Sequence, residues 1–347
     1  PREIATTPDE IEPFFRHWKE EGVDLYHLEA KAKRDAGFAR LVLSQGTILQ
    51  ELGEFRSEVS GFPIIEVRFF EWDEFLNSLQ AMDLERGPDL VQVPSTWCAA
   101  LAKQINVLKP LPDRVYKESA TEYAEELLKP CLVYGEKPLY GLPWLVDIRL
   151  LFYWREELSM LDQELEAAPK PLSTFARALE SASAKTRKQL FALPTARDWE
   201  LLHLFGLLVW GQGGDLVKSS GWGVYHTSAP VFIDSALNAT RQLVPLVQRG
   251  LIAVPRVPRD ELERKFEDHE LASMISGTWL MPVLQRRLGP AWSLQIGVAL
   301  PPLSNTAPPA TFLGGSSLAI SRAAKARGLD QQALQLAKFL TGRASLK

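Results

Sequence analysis

Few side chains in this sequence have the types and spacing that catalysis requires. His269-Glu270 is followed by Leu-Ala-Ser, so the second histidine of a His-Glu-x-x-His metal pair is absent. Neither a Gly-x-x-x-x-Gly-Lys-Ser/Thr phosphate loop nor a Gly-x-Ser-x-Gly elbow occurs. The histidines show no metal-ligand spacing: His17, His27, His203, His226 and His269. We therefore expect no catalytic residues, no metal and no cofactor.

Two further patterns are compatible with a site, but neither specifies one. Gly211-Gln212-Gly213-Gly214 resembles a dinucleotide loop, yet it follows a predicted helix where that loop follows a strand. Acid pairs such as Glu156-Glu157 leave open the two carboxylates of glycoside hydrolysis. No pair stands out, and solvated surface acids are the ordinary interpretation. A glycoside-acting enzyme stays as a minor alternative.

Composition narrows the class of partner. The 347 residues carry 39 Lys and Arg against 43 Asp and Glu, a net charge of −4. Nucleic-acid binding needs a basic excess to neutralise phosphates, so we expect no nucleic-acid partner. The longest apolar run, residues 201–210, is too short to span a bilayer, so we expect no membrane partner. Ten tryptophans favour carbohydrate, because indole faces stack on sugar rings.

The two cysteines, Cys98 and Cys131, form neither a Cys-x-x-Cys pair nor a disulfide framework. Two buried free thiols are the ordinary interpretation. A bridge between them is the alternative in an oxidising compartment.

The elements that position these residues alternate between strands and helices. Residues 1–37 read as polar helices, and the alternation begins at Phe38. Strands at 39–43, 63–70 and 90–93, separated by helices at 47–60 and 72–83, predict βαβ units and an α/β fold. Later residues predict helices at 174–184, 199–210, 235–249, 259–276 and 330–340, a hairpin near 222–225, and strands at 294–300 and 311–320, the last broken at Gly314-Gly315.

Seven segments, in order, resemble a known family. They are Gly87-Pro88-Asp89-Leu-Val-Gln-Val with Trp97 and Leu108-Lys-Pro-Leu111, Tyr140-Gly-Leu-Pro-Trp144 through Arg155, Pro171-Leu-Ser-Thr-Phe175, Gly211 to Gly214, Ser276-Gly-Thr-Trp279, Gly314-Gly-Ser-Ser-Leu-Ala-Ile320 and Lys338-Phe-Leu-Thr341. Together they resemble extracellular solute-binding proteins of the sugar-binding, maltose-binding-like type, from about residue 38 to 347.

The resemblance implies a type II periplasmic-binding-protein fold, in which two α/β lobes are joined by crossing hinge strands and ligand lies between them. Lobe 1 would comprise residues 38–147 and 311–347, and lobe 2 residues 148–310. Residues 1–37 would form a helical extension or linker. The family's usual C-terminal helices are absent after Lys347, so we expect one lobe to be shorter than in relatives or completed by the N-terminal helices.

The same resemblance implies a function. We expect non-enzymatic binding of a sugar or oligosaccharide by a monomer that delivers it to the permease subunits of an ABC transporter. It implies an extracytoplasmic location, although the Pro-Arg-Glu start carries no signal peptide. The alternatives are the ligand-sensing domain of a larger signalling protein, cytoplasmic if so, and the binding of a polyamine, phosphate ester or peptide.

Candidate ligand-binding residues of lobe 1 follow predicted strands. Gln45 and Thr47 follow the first strand, at the edge where open α/β sheets bind ligands, and helix capping is the alternative role of Thr47. Thr96 and Trp97 follow the third strand, and core packing is the alternative for Trp97. Trp144 lies at the chain crossover.

Further candidates lie at the crossover and beyond it. Asp147 interrupts an apolar segment and needs a partner, which is either a ligand or Arg149 on the same strand face. Trp279 matches the family's cleft aromatic and follows the predicted helix 259–276. His203 lies on an apolar helix face, where a core role is the alternative.

The glycine pair near the C-terminus completes the set of candidates. Gly314 and Gly315 allow close approach of backbone to a ligand, and Ser316 follows them.

Overall fold

A computed structural model gives the structure of the chain. It describes residues 15–21, 23–25, 28, 46–70, 72–133, 136–161, 172–196, 198–214, 218–220, 224–226, 229–301 and 311–342; at 46–47, 72–73, 198–200, 218–220, 224–226 and 229–233 it describes the backbone alone. The predicted strand 39–43 lies outside these residues.

Helices and strands alternate along the described chain, as the sequence predicts for an α/β protein. In order they are β1 Val23–Asp24, α1 Gly46–Glu58, β2 Ile65–Glu66, α2 Trp72–Gln80, β3 Leu90–Pro94, α3 Cys98–Lys103, α4 Asp113–Glu122, α5 Glu125–Leu128, β4 Leu142–Trp154, α6 Leu172–Ser183, β5 Gln189–Ala192, α7 Asp198–Trp210, β6 Lys218–Ser220, β7 Val224–His226, α8 Ala229–Gln248, α9 Arg259–Glu267, β8 Leu271–Gly277, α10 Leu280–Leu288, α11 Trp292–Gln295, β9 Ile296–Ala299, β10 Leu313–Ile320, α12 Arg322–Ala326 and α13 Asp330–Thr341.

The chain divides into two compact units. Unit 1 contains residues 1–145 and 315–347, and unit 2 contains residues 146–314. Strands β4 and β10 each pass from one unit into the other. No helix among the described residues combines the length and apolarity of a membrane span.

Unit 1 is built on β3 and β10, which pair antiparallel with Ser316 opposite Pro94 and Ile320 opposite Leu90. Two buried clusters flank this pair: one contains Leu101 and Val93, and the other contains Phe55. A short 3-10 helix, Ser95–Trp97, directly follows β3, and it contacts a second one at Lys129–Cys131.

The N-terminal segment contributes to the core of unit 1. Phe15, Trp18 and Val23 are buried in the same cluster as Phe55. Residues 15–20 are helical, as predicted, but Val23–Asp24 is a strand that pairs parallel with β2. Apolar side chains at helical spacing thus face the rest of unit 1.

Unit 2 is built around β4. β8 and β9 both pair antiparallel with β4, and β5 pairs parallel with β8. Helices α6, α7 and α8 supply much of one buried cluster, and α9 and α10 supply a second. The predicted hairpin is confirmed as the antiparallel pair β6–β7.

The prediction of one helix across 259–276 is wrong. Helix α9 ends at Glu267, His269 adopts a left-handed backbone with φ of 60°, and Leu271–Gly277 is strand β8. All seven residues of β8 are buried, so the segment has no polar face of the kind a surface helix presents. The Ser273 hydroxyl is satisfied there by donating to the Leu190 carbonyl at 2.6 Å.

Other elements differ at their edges. The predicted strand 63–70 is a strand only at Ile65–Glu66, and the predicted strand 294–300 begins after helix α11. Strand β10 runs through Gly314-Gly315 without the predicted break. The final helix is confirmed, at Asp330–Thr341.

Candidate functional site

The indole of Trp279 lies at the centre of a polar and aromatic cluster in unit 2. It directly precedes helix α10, is partly exposed, and donates from Nε1 to Glu263 Oε1 at 2.9 Å. The guanidinium carbons of Arg149 and Arg259 lie 4.5 and 4.4 Å from its ring centroid. Cation–π attraction and the hydrogen bond therefore fix the orientation of this ring.

Arg149 connects Trp279 to Asp147. The two side chains project from the same face of β4, as residues two apart on a strand do, and they form an ion pair. Only 8% of the Arg149 side chain and 14% of the Asp147 side chain are exposed. The predicted partnership of Asp147 with Arg149 is confirmed, yet Asp147 Oδ1 is buried without a hydrogen-bond partner among the described residues.

Glu263 holds the other side of the cluster. Its carboxylate accepts hydrogen bonds from Trp279 Nε1 and from the Ser276 hydroxyl, and it forms an ion pair with the Arg259 guanidinium, one helical turn away, at 3.2 Å. Ser276 is fully buried on β8, whereas Arg259 begins α9. One carboxylate thus joins the helix, the strand and the aromatic ring.

An aromatic surface continues from this cluster through Phe312. The His203 ring stacks on Phe312 with centroids 4.2 Å apart, and Trp210 lies nearly parallel to Phe312 at 6.3 Å. Arg149 approaches the same Phe312 ring at 5.5 Å, and its backbone N–H donates to the Phe312 carbonyl at 3.2 Å. His203 therefore belongs to the cluster and is not solely a core residue of α7.

Burial governs the protonation of the titratable groups here. It raises the pKa of Asp147, and the neighbouring Arg149 and Arg259 oppose that shift. Burial also lowers the pKa of His203 to about 4, assisted by the positive charges of Arg149 and Arg259. The imidazole is consequently neutral near pH 7, with one ring nitrogen able to accept a hydrogen bond.

Each of the two candidate glycines lies at a position of β10 that favours glycine. A Cβ on Gly314 would lie 2.3 Å from the Phe312 ring, so only glycine allows that ring its position in unit 2. Gly315, in unit 1, has a φ of 133°.

The unit 1 candidates are described separately. Thr96 is exposed, and Trp97 and Trp144 are partly buried against the two core clusters of that unit. Ser316 is buried, and its hydroxyl accepts from Gln92 Nε2 at 2.8 Å. Gln45 and the Thr47 side chain lie outside the described residues.

Sequence reasoning missed three members of the cluster: Arg259, Glu263 and Phe312. The Arg259–Glu263 pair has the i,i+4 spacing of a helix surface pair, which gave no signal of a site. Phe312 follows a proline-rich stretch and lies within the predicted strand 311–320, where it gave no signal of a site.

One other group of ligating side chains occurs among the described residues. His269 Nε2 lies 3.3 Å from an oxygen of both Glu156 and Glu157, and its ring stacks on Trp154 at 3.9 Å. Lys188 pairs with the same Glu157 oxygen at 2.7 Å. The Lys188 ammonium already pairs with the Glu157 carboxylate, so we interpret these four side chains as an ion-pair network.

Comparison with known proteins identifies the family. The profile of the bacterial extracellular solute-binding proteins matches residues 53–347. This chain belongs to that family. The chain is also similar to the diacetylchitobiose binding protein DasA of Streptomyces coelicolor, with 26% identity over 270 residues, which are 74% of this chain and 58% of DasA. The matched region is thus less than two thirds of that relative.

Solved solute-binding proteins share the fold. The GacH receptor of Streptomyces glaucescens, solved unliganded and with acarbose, superposes with a TM-score of 0.68 at 19% identity, covering 86% of this chain and 72% of GacH. Maltose-bound MalE3 of T. maritima superposes with a TM-score of 0.68 at 20% identity, covering 86% and 74%. These similarities confirm the predicted type II periplasmic-binding-protein fold.

Proposed function

We propose that this chain binds a sugar or short oligosaccharide without transforming it, as the solute-binding component of an ABC importer. The proposal rests on two groups of the same cluster. The Trp279 ring is partly exposed, and Asp147 Oδ1 is a buried acceptor without a hydrogen-bond partner among the described residues. A sugar offers C–H faces to an aromatic ring and hydroxyl donors to a carboxylate, so one ligand satisfies both groups.

The charges of the cluster favour a neutral ligand. Arg149 is paired with Asp147, and Arg259 is paired with Glu263, so two positive and two negative groups balance. A phosphate ester or carboxylated ligand would need an uncompensated cation, and a polyamine would need an excess of carboxylates. A neutral carbohydrate requires neither, and its hydroxyls can use both kinds of group.

The transport role is supported by the family and by what similar proteins bind. DasA is a diacetylchitobiose binding protein, and GacH and MalE3 were solved with acarbose and maltose. We propose that this chain lies outside the cytoplasmic membrane and that its partners are the permease subunits of an importer. Delivery of an intact solute explains why the relatives are binding proteins and not enzymes.

A ligand panel tests the proposal. Thermal unfolding is measured with diacetylchitobiose, maltose, maltotriose and acarbose, with glycerol at equal osmolality as the control. A ligand at 100 times its dissociation constant adds about 2.7 kcal/mol to the free energy of unfolding and raises the midpoint measurably. The Asp147→Asn variant should show a smaller rise. If glycerophosphocholine or spermidine raises the midpoint and no sugar does, the carbohydrate assignment is wrong.

A further inference from the structure

Two cysteine side chains meet inside unit 1, where they serve no part of the proposed site. Cys98 begins α3 and Cys131 ends the second 3-10 helix, and both have no exposed surface. Cys131 Sγ lies 3.1 Å from Ser317 Oγ, and each thiol is close enough to shift the pKa of the other. The three side chains form a small buried cluster of sulfur and oxygen atoms.

The absence of a side chain at Gly141 leaves space for the two cysteine side chains. A Cβ on Gly141 would lie 3.0 Å from the Ser317 Cβ and 3.6 Å from Cys98 Sγ, so glycine leaves room for the pair. Cys98 belongs to one buried cluster of unit 1, and Cys131 belongs to the other. The contact therefore lies where the two halves of that core meet.

We propose that Cys98 and Cys131 form a disulfide bond when the chain folds in an oxidising compartment. Family members are extracellular proteins, and disulfides persist in such compartments. Both cysteines lie beside Ser317, and the helix that begins at Cys98 contacts the 3-10 helix that ends at Cys131, so the bond would join two segments that are already neighbours. The inference concerns unit 1 alone and does not depend on the identity of any ligand.

The chemistry is thiol–disulfide exchange with a small-molecule or protein disulfide as the oxidant. The interaction between the two thiols raises the pKa of Cys98 and lowers the pKa of Cys131, so Cys131 is the better first nucleophile. Its thiolate attacks one oxidant sulfur and releases the other as a thiolate. The Cys98 thiolate then attacks the mixed disulfide. The two cysteine thiols lose two electrons and two protons in total, and the oxidant is reduced to two thiols.

The bond would stabilise the segment that carries two of the unit 1 candidates. Thr96 and Trp97 directly precede Cys98. Closing the 33-residue separation between the cysteines also restricts the unfolded chain, and this effect increases with loop length.

The test is refolding of the full chain under two redox conditions. The chain is denatured, reduced and refolded either with oxidised and reduced glutathione or with an excess of reductant. After oxidative refolding we expect the intact chain to be 2 Da lighter, a peptide containing Cys98 linked to one containing Cys131, and no thiol labelled by N-ethylmaleimide in denaturant. We also expect its unfolding midpoint to be higher by roughly 5 to 10 °C than that of the reduced chain.

Matched variants separate the bond from other redox effects. Cys98→Ala and Cys131→Ala should each unfold at the same temperature under both conditions, whereas Ser317→Ala should keep the redox-dependent shift. Two thiols that still label after oxidative refolding, or a bridge between two chains in place of one within the chain, would overturn the proposal. The labelling experiment on the unaltered chain decides the matter even if a variant fails to fold.

Discussion

The Arg149 guanidinium carbon lies 4.5 Å from the centre of the Trp279 ring, and the same guanidinium pairs with the Asp147 carboxylate. One buried cation therefore holds both the stacking surface and the acceptor of the proposed sugar site. A substitution at either partner should affect ligand affinity and local stability together.

Replacing Trp279 by alanine should weaken sugar binding by about 2 kcal/mol, the range of a buried aromatic anchor. The ring is partly exposed, so the free energy of unfolding should fall by less than the roughly 3 to 5 kcal/mol of a core aromatic. Calorimetric titration and a denaturation curve measure the two effects. Trp292→Ala, at a partly buried tryptophan of the same unit outside this cluster, is the control and should leave affinity unchanged.

Unchanged affinity of Trp279→Ala with a loss of stability in the core range would contradict this role. The indole would then be a packing residue of unit 2.

Replacing Asp147 by asparagine should cost about 1 to 3 kcal/mol of binding, because hydrogen bonds to charged groups are the stronger kind. It should also lower the free energy of unfolding by roughly 2 to 3 kcal/mol, since Arg149 would lose its counter-charge while buried. Asp268→Asn breaks an exposed pair with Arg287 and should cost less than about 1 kcal/mol. Equal losses in the two variants would contradict the importance of burial.

Adding one methyl group at Gly277 should displace Trp279. A Cβ there would lie 2.0 Å from the Trp279 ring, so Gly277→Ala forces the ring to move and should weaken sugar binding about as much as Trp279→Ala. Gly53→Ala is the matched control, because its Cβ would meet Trp18 at an ordinary 3.6 Å. Titration of both variants measures this, and full affinity in Gly277→Ala would show that the ring position is unimportant.

Unfolding should depend on pH through His203. Its pKa is lowered in the folded chain to about 4, so between about pH 6.5 and pH 4 the unfolded chain binds a proton that the folded chain does not. Stability should therefore fall by roughly 1 to 2 kcal/mol as pH decreases through this window, a figure reduced because the imidazole is partly exposed.

Chemical denaturation at several pH values measures this contribution. His203→Gln should flatten the pH dependence across that window, and the same substitution at the exposed His17 of unit 1 is the control. Identical pH profiles for His203→Gln and the unaltered chain would contradict the assignment.

Much of the fold could be predicted from the sequence, because alternating apolar strands and amphipathic helices leave a local signal. Strand β3, hairpin β6–β7 and helix α13 all carry that signal. The error at Leu271–Gly277 arose because a wholly buried strand lacks both the alternation of a half-buried strand and the polar face of a helix. Its identity depends on pairing with β4 and β5, which lie far away in sequence.

The candidate site could be predicted only where its contacts are local in sequence. Asp147 and Arg149 are two residues apart in an apolar strand, so their pairing follows from strand geometry. Glu263 contacts Trp279 because the chain turns at His269, after α9 ends, and continues into β8. No local sequence pattern reveals that contact. Phe312 reaches His203 through the return of the chain into β10.

Calorimetric titration of the full chain with diacetylchitobiose and maltose tests the central claim most directly. The proposed function predicts saturable one-to-one binding of at least one of these sugars, recovery of the sugar unchanged after incubation, and weakening of that binding by both Trp279→Ala and Asp147→Asn. Absence of binding to either sugar by the folded chain, or cleavage of the sugar that is lost on substituting a carboxylate, would contradict it.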